Sequence, residues 1–190
     1  RNSDEKITFS QLAALAHDPE SAPAGIEPGL DFLHEYTLPQ SPVSFGAHAV
    51  VVEVDQDTLA VKILRYVGVH DCGQIINPMI VEGQIHGGIA QGIGWALNEA
   101  LSHDTAGRLE NPGFLDYRIP VASDLPMIDT VIVEVANPHH PFGARGVGET
   151  AIVPPVAAVA NAVSNALAPL GVQITQLPLS PSFIAKLLSG

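Results

Sequence analysis

Alternating apolar positions predict a β-hairpin in the first half of the chain. Segments 44–55 and 59–69 are rich in valine and isoleucine, and the first carries Val50, Val52 and Val54 on one face. A period of two is typical of a strand that buries one face. The link between the two segments is short enough for a hairpin loop. We therefore expect an antiparallel pair with one face in the core and the other partly wet.

A helical pattern follows and predicts a long helix from about residue 79 to about residue 103. Its apolar residues recur at every fourth position, and because four residues turn about 400°, the row drifts around the helix. Glycines fill much of the remaining surface, and a helix that is apolar on most sides is buried. The apolar row is Val81, Ile85, Ile89, Ile93, Leu97 and Leu101, and the glycines are Gly83, Gly87, Gly88, Gly92 and Gly94.

These glycines need a structural cause, since each costs about 1 kcal/mol relative to alanine inside a helix. Close packing against residues 83–94 would offset that cost, and a sheet, another helix or a bound cofactor could provide it. Gln84 and Gln91 share one face of the segment. We expect that face to be buried, so both amides need hydrogen-bond partners, which neighbouring loops or a ligand could supply.

Shorter elements are predicted on either side of this helix. Thr8 or Ser10 could cap a helix over residues 8–17, and Ser180 with Pro181 predicts a last helix near the end of the chain. The other elements are strands at 30–38, 127–136 and 172–177, an extended stretch at 114–121 and a helix at 156–167. The set indicates an α+β fold: a mixed sheet, a long buried glycine-rich helix and smaller peripheral helices.

The candidate chemistry lies in a glycine-rich turn at residues 143–149, which ends in Glu149. Glycines allow backbone angles that a β-carbon forbids, and they let other groups approach closely. Pro154 and Pro155 then open the next helix, so Glu149 lies near a helix N-terminus, where partial positive charge favours a carboxylate. The turn therefore predicts either a carboxylate that accepts a proton or one that only complements the helix dipole.

Composition narrows the class of protein. Hydrophobic residues make up 46% of the chain and charged residues only 15%, where about 25% charged is usual, so we expect exposed apolar surface or oligomerisation. The net charge of -12 argues against nucleic-acid binding. No uncharged apolar run reaches the roughly 18 residues that a membrane span needs, so we expect no membrane-spanning helix. The single cysteine, Cys72, is expected in the core and fits a reducing cytoplasm.

Other chemistries lack their signatures in this sequence. No C-x-x-C or H-x-x-x-H spacing occurs, so we expect no metal ligated by protein side chains alone. No G-x-S-x-G motif supports a serine hydrolase. A carboxylate hydrolase would need a second acid near Glu149, for which Asp116 and Asp124 are the candidates.

Taken together, several runs of the sequence resemble the large, molybdenum-binding subunit of the xanthine oxidase family of molybdenum hydroxylases. The resemblance is to the C-terminal part of that subunit, and it is greatest to the bacterial branch that includes aerobic carbon monoxide dehydrogenase. The matching runs are Phe45-Gly46-Ala47-His48, His70-Asp71-Cys72-Gly73, Ile76-Asn77-Pro78, Glu82-Gly83-Gln84-Ile85-His86-Gly87-Gly88, Ala90-Gln91-Gly92-Ile93-Gly94, Asp116-Tyr117-Arg118-Ile119-Pro120, residues 143–149, and Leu177-Pro178-Leu179-Ser180-Pro181.

The resemblance implies a role for three residues. Glu149 matches the general base beside the molybdenum, Gln84 matches a glutamine that lies against the pterin, and Gly148 flanks the base and would admit the cofactor. The implied cofactor is molybdopterin cytosine dinucleotide with molybdenum. The implied reaction oxidises an aldehyde, an aromatic N-heterocycle or purine, or carbon monoxide with an oxygen derived from water.

The resemblance also implies that residues 1–190 are the C-terminal portion of a longer subunit. The expected partners are the upstream part of that subunit, an FAD-binding subunit and a 2Fe-2S subunit, along with a small-molecule substrate. Cys72 does not match the cysteine loop that identifies the carbon monoxide branch. The alternative is an assembly or interaction fragment that is inactive without the upstream half.

Overall fold

The computed structural model describes residues 6–22, 24–31 and 33–189. The chain forms two units, divided between Thr37 and Leu38. All the strands described, and the helices around the candidate site, belong to the second and larger unit.

The first unit contains helix α1, Phe9–His17, which begins at a reciprocal cap. The Thr8 side chain accepts a hydrogen bond from the Gln11 N–H, and the Gln11 side chain accepts one from the Thr8 N–H at 2.9 Å. This capping box satisfies two N–H groups at the start of the helix. Thr8, one of the two predicted caps, is therefore the cap that forms.

The strand predicted at residues 30–38 does not form in the described part of that segment. Phe32, on which the prediction partly rested, lies outside the described residues. The described residues of the first unit include no strand with which this segment could pair. Without a neighbour, the backbone groups of an extended segment have no ladder to join.

The second unit is built on a mixed sheet in the order β1-β2-β3, which confirms the sheet predicted from the pattern. β1 spans Phe45–Val54, β2 spans Val61–Asp71 and β3 spans Ile128–Val133. β1 and β2 are antiparallel, as the hairpin prediction requires, whereas β2 and β3 are parallel. A parallel pair needs a long crossover, and here that crossover contains helix α2, Pro78–Leu97.

Two of the shorter extended predictions are wrong in part or in full. Residues 172–177 form no strand, although Val172, Ile174 and Leu177 pack against the core. Within the stretch predicted as extended at 114–121, residues 114–116 form a turn. In both segments the residues bury apolar side chains or turn without pairing to a neighbouring strand, which alternation in the sequence cannot foresee.

Helix α2 begins where predicted and ends earlier. The Asn77 side chain accepts a hydrogen bond from the Ile80 N–H at 3.2 Å, which caps the first turn. The helix ends at Leu97 and not near residue 103. The next two N–H groups both bond the Gly94 carbonyl, each at 2.8 Å, and the chain then leaves the helix. The apolar period continues past this point, so the pattern overestimates the length.

The core lies between one face of the sheet and two helices. α3 spans Val153–Leu167 and packs against both β1 and α2, and α4 spans Pro181–Leu188 with Ser180 as its cap. The side chains of α2 reach the sheet at Gly68 of β2. The largest fully buried side chains include Tyr66, Ile85, Ile89, Ile93, Val159, Val163, Leu179 and Ile184.

One segment of the described chain, Val153–Leu170, has the length and mean hydropathy, 1.3, of a membrane span. The sequence analysis expected no run of this length and hydropathy, and this segment corrects that expectation. It consists of α3 and the short turn of helix that follows. Its residues Val159, Val163 and Leu167 are buried against the rest of the fold, so α3 serves as a core helix in this structure.

Candidate functional site

Glu149 lies in the loop between β3 and α3, four residues before that helix begins. Its carbonyl accepts a hydrogen bond from the Ile152 N–H at 3.3 Å, which starts the turn into the helix. Ile152 is the N-cap, and no side chain caps this end of α3. The Glu149 carboxylate is exposed and makes no hydrogen bond or ion pair with the described residues. It is therefore free to exchange a proton with a group outside this chain.

Gln84 and Gly148 face each other across the gap between α2 and this loop. A β-carbon built on Gly148 would lie 3.9 Å from the Gln84 Oε1 atom. Since Glu149 follows Gly148 directly, the fold brings together all the residues that the resemblance singles out. They come from distant parts of the sequence, and only the packing of α3 on α2 makes them neighbours.

Glycines on one side of α2 create that packing. A β-carbon on Gly88 would lie 2.8 Å from the Ala151 Cβ atom and 3.0 Å from the Ile152 nitrogen. A β-carbon on Gly92 would lie 2.6 Å from the Pro155 ring. The expected close neighbour of the glycine segment is thus the start of α3, the second helix among the options that the sequence left open.

The other side of α2 has no such neighbour. Around Gly83 and Gly87, no described atom lies within 4 Å of the position a β-carbon would take. Gln84 and Gln91 are exposed, so the prediction that their face is buried is wrong. The sequence pattern marks the small residues but does not reveal which side of the helix another element covers.

The loop is anchored where it leaves the sheet. The Gly143 carbonyl accepts hydrogen bonds from the Gln74 N–H at 2.9 Å and the Asn137 N–H at 2.8 Å. Gly73 has a φ of 66°, and a β-carbon there would collide with the Gly143 carbonyl. Glycine at position 73 therefore allows the end of β2 to lie directly on the loop.

A histidine pair on the buried side of the sheet was not anticipated as a unit. The His48 Nε2 and His70 Nε2 atoms are 2.6 Å apart, and the His48 Nδ1 atom is 2.8 Å from the Tyr66 hydroxyl. Burial, with a smaller contribution from His70, lowers the pKa of His48 to about 4. Burial also lowers the pKa of His70. The pair is therefore neutral near pH 7 and serves the packing of the sheet.

The register between β1 and β2 explains why these two rings meet. His48 lies opposite Gly68 and His70 lies opposite Gly46, so both rings fall on the core face of adjacent strands. A β-carbon on Gly46 would lie 2.7 Å from the His70 ring, which leaves room only for glycine. Alternation within each strand was visible in the sequence, but the register between the strands was not.

Neither metal-ligating side chains nor Cys72 form a second candidate site in the described residues. In the described ranges 6–22, 24–31 and 33–189, no cluster of His, Cys, Asp and Glu side chains has the composition to hold a metal ion. Cys72 is 2% exposed and belongs to the core, as predicted. Burial, and to a lesser extent Asp71, raises the pKa of its thiol, which makes it an unreactive side chain.

Residues 1–126 match the family described as the molybdopterin cofactor-binding domain. The chain is 39% identical over 188 residues to the nicotine 6-hydroxylase large subunit of Paenarthrobacter nicotinovorans, a match that covers 98% of this chain and 23% of that protein. It is 36% identical over 171 residues to the carbon monoxide dehydrogenase large chain of Afipia carboxidovorans, with 90% and 21% covered.

A solved structure gives the same picture. Quinoline 2-oxidoreductase from Pseudomonas putida 86 superposes with a TM-score of 0.86 and 38% identity, covering 95% of this chain and 23% of that one. The chain therefore spans less than a quarter of the length of these relatives. Gln84 lies within the residues that match the family, whereas Gly148 and Glu149 lie beyond them.

Proposed function

We propose that this chain, which belongs to the family of molybdopterin cofactor-binding domains, supplies the general base and one wall of the molybdopterin site. The chain covers part of a molybdenum-binding subunit of the xanthine oxidase and carbon monoxide dehydrogenase type. One observation carries the proposal: an unpartnered carboxylate, Glu149, stands beside Gly148 and Gln84 at the open side of α2. A general base needs such a carboxylate within reach of the reacting atoms.

The residues present fit a pterin. Gly83 and Gly87 leave the backbone of α2 bare, so a flat group can lie on it without meeting side chains. The exposed Gln84 amide offers both a donor and an acceptor, as the edge of a pterin requires. We propose that Gln84 and Gly148 contact the cofactor and that Gly148 keeps the approach to the base open.

When bound, the molybdenum cofactor would supply the redox chemistry by which an oxygen derived from water reaches the substrate. The role of Glu149 is to take the proton from the attacking oxygen at one of its carboxylate oxygens and to pass it on to solvent. The surrounding glycines present no side chain that could block that carboxylate.

We propose further that residues 1–190 are the C-terminal portion of the large subunit and that its upstream part completes the site. The cofactor is then molybdopterin cytosine dinucleotide, and electrons leave through iron–sulfur clusters and FAD on partner subunits. The substrate is a small molecule, an aldehyde, an aromatic N-heterocycle or purine, or carbon monoxide, and the relatives named for nicotine and quinoline favour the heterocycle. The complex would be oligomeric and would act in the cytoplasm.

Replacing the base tests this proposal in the complete enzyme. We expect Glu149→Gln to retain its molybdenum and to lower kcat by about 100-fold or more, because an amide cannot accept the proton. Glu82→Gln is the matched control, since Glu82 is an exposed carboxylate on the neighbouring helix. Metal analysis and steady-state kinetics measure both variants, and near-normal turnover in Glu149→Gln contradicts the assignment.

Metal analysis also separates the proposal from the alternative, a non-catalytic assembly fragment. The chain is purified alone and together with the upstream part of its subunit, and molybdenum is measured in each. Molybdenum found only in the pair supports a site built from both parts. Molybdenum in neither preparation supports the assembly fragment.

A further inference from the structure

We propose that Arg145 is a positioning residue that holds the Glu149 loop against the sheet, an inference that rests on Glu149 being the base. Arg145 comes four residues before Glu149, yet its side chain is only 13% exposed. An arginine is seldom buried to this extent unless its charge and its donors are used. The partners of Arg145 account for both.

The guanidinium reaches three segments that come from distant parts of the sequence. Its Nη1 donates to the Val43 carbonyl at 2.7 Å, and its Nε donates to the Val135 carbonyl at 3.3 Å. Its Nε also lies 3.7 Å from the Asp71 Oδ2 atom. We call Arg145 with Val43, Asp71 and Val135 the Arg145 clamp. It joins the segment before β1, the end of β2 and the segment after β3.

Two components of the Arg145 clamp, Asp71 and Val135, are also held to each other. The Asp71 Oδ1 atom accepts hydrogen bonds from the Gly73 N–H at 2.8 Å and the Val135 N–H at 3.1 Å. Asp71 is 12% exposed, so its carboxylate faces Arg145 with little screening by water. The guanidinium also lies over the Phe45 ring, 5.7 Å from the centroid. A planar, forked cation suits this set of partners better than an ammonium group does.

The clamp continues into the backbone that leads to the base. The Arg145 N–H donates to the Cys72 carbonyl at 2.8 Å, and the Ser44 hydroxyl donates to the Gly146 carbonyl. Ser44 follows Val43, so two consecutive residues of the loop are fixed to two consecutive residues of the segment before β1. At its other end the loop is fixed by the packing of Ile152 against α2.

Between these two anchors lies Gly148, which gives the loop conformational freedom. The Gly146 carbonyl is held by the Ser44 hydroxyl, whereas a β-carbon on Gly148 would meet, among the described residues, only the Gln84 Oε1 atom within 4 Å. Glycine has more conformational freedom to lose than any other residue. The clamp leaves only residues 147–150 between the two anchors, and so keeps the Glu149 carboxylate beside Gln84.

The test replaces Arg145 by methionine, which is similar in length and carries no donor, in the complete molybdenum enzyme. We expect molybdenum content and KM to stay near those of the parent, while kcat falls by about 10- to 100-fold because the base is misplaced. Hydrogen exchange of the amides at residues 146–149 should become faster. Arg145→Lys should recover part of kcat, since it restores the charge without the fork.

Arg108→Met is the matched control, because Arg108 forms an exposed ion pair with Asp104 at 3.0 Å, away from the loop. It should change neither kcat nor the exchange rate at residues 146–149. If Arg145→Met does not fold, Asp71→Asn is tested instead, because it removes the charge that faces Arg145. Faster hydrogen exchange at residues 146–149 and a lower kcat in Asp71→Asn support the clamp. Unchanged exchange and kcat in a loaded variant of either residue overturn it.

Glu149→Gln in the same series separates the two proposals. If Glu149→Gln keeps its turnover, the proposed base is wrong whatever Arg145 does. If Glu149→Gln loses turnover while loaded Arg145→Met keeps it, the base stands and the positioning role of Arg145 fails.

Discussion

The two sides of α2 carry the same residue type and use it for different purposes. On the packed side, the start of α3 lies so close to Gly88 and Gly92 that it occupies the space a methyl group would need. On the open side, Gly83 and Gly87 face space that no described atom enters. Packing inside the chain explains the first pair. Only a group from outside it explains why the second pair are not alanines, which would stabilise the helix.

The difference between the two sides shows how to distinguish a glycine required for packing from a glycine that leaves room for a ligand. A glycine that touches its own fold is required for stability, and its replacement should be costly in every state of the protein. A glycine that touches nothing lowers stability in the isolated fold. If a cofactor binds there, stability and binding should respond to replacement of that glycine in opposite directions.

The largest effect is expected on the packed side. Gly88→Ala should lower the free energy of unfolding by about 1–3 kcal/mol, because the new methyl group meets the backbone of residues 151 and 152. Chemical denaturation of the parent and the variant measures the change. An unchanged or raised stability would show that α3 is free to shift, and would remove the distinction between the two sides.

A fall in pH should lower the free energy of unfolding through His48, which lies on the sheet against which α2 packs. The pKa of His48 is about 4 in the fold against 6.5 in an unfolded chain, so the unfolded state binds more protons between these values. Stability should therefore fall as the pH is lowered from about 6.5 to about 4, by about 1 kcal/mol, since the partly buried ring is still screened by water. His70 and Tyr66 face the same ring.

Denaturation curves at several pH values test this dependence, with His48→Gln as the comparison. The variant should show a flatter dependence than the parent in that interval. The two curves would run parallel if other groups, and not His48, govern stability there.

The smallest effect on stability is expected on the open side, and its sign is reversed. Gly87→Ala should raise the free energy of unfolding by about 0.5–1 kcal/mol, because alanine favours the helix and meets no neighbour. It differs from Gly88→Ala by one position, so the chemical change is matched. The same variant should retain less molybdenum after gel filtration of the complete enzyme. Full retention would argue that the cofactor does not lie on this side.

Local signals in the sequence predicted the elements whose ends are set by neighbouring residues. The start of α2 near residue 79, the Ser180 cap and the valine-rich hairpin all depend on contacts a few residues apart, and all three formed as expected. The end of α2 was missed because the apolar period continues through Leu101, although the N–H groups after Leu97 turn back to Gly94. The strand expected at 172–177 failed because alternation does not supply a partner.

The candidate site was less accessible to such reasoning. A glycine-rich turn before a helix drew attention to Glu149, but nothing in the spacing placed it beside Gln84, and that juxtaposition was expected only through the resemblance. The Arg145 clamp joins residues from three separate segments. Its existence depends on the parallel pairing of β2 with β3, which a single sequence does not reveal.

The Gly143 carbonyl, shared by the N–H groups of Gln74 and Asn137, has a consequence for the timing of assembly. A nascent polypeptide can close the β1–β2 hairpin early, but this junction must wait until the whole crossover has been synthesised and β3 has docked. We therefore expect Glu149 to reach its position beside Gln84 only after this junction has formed.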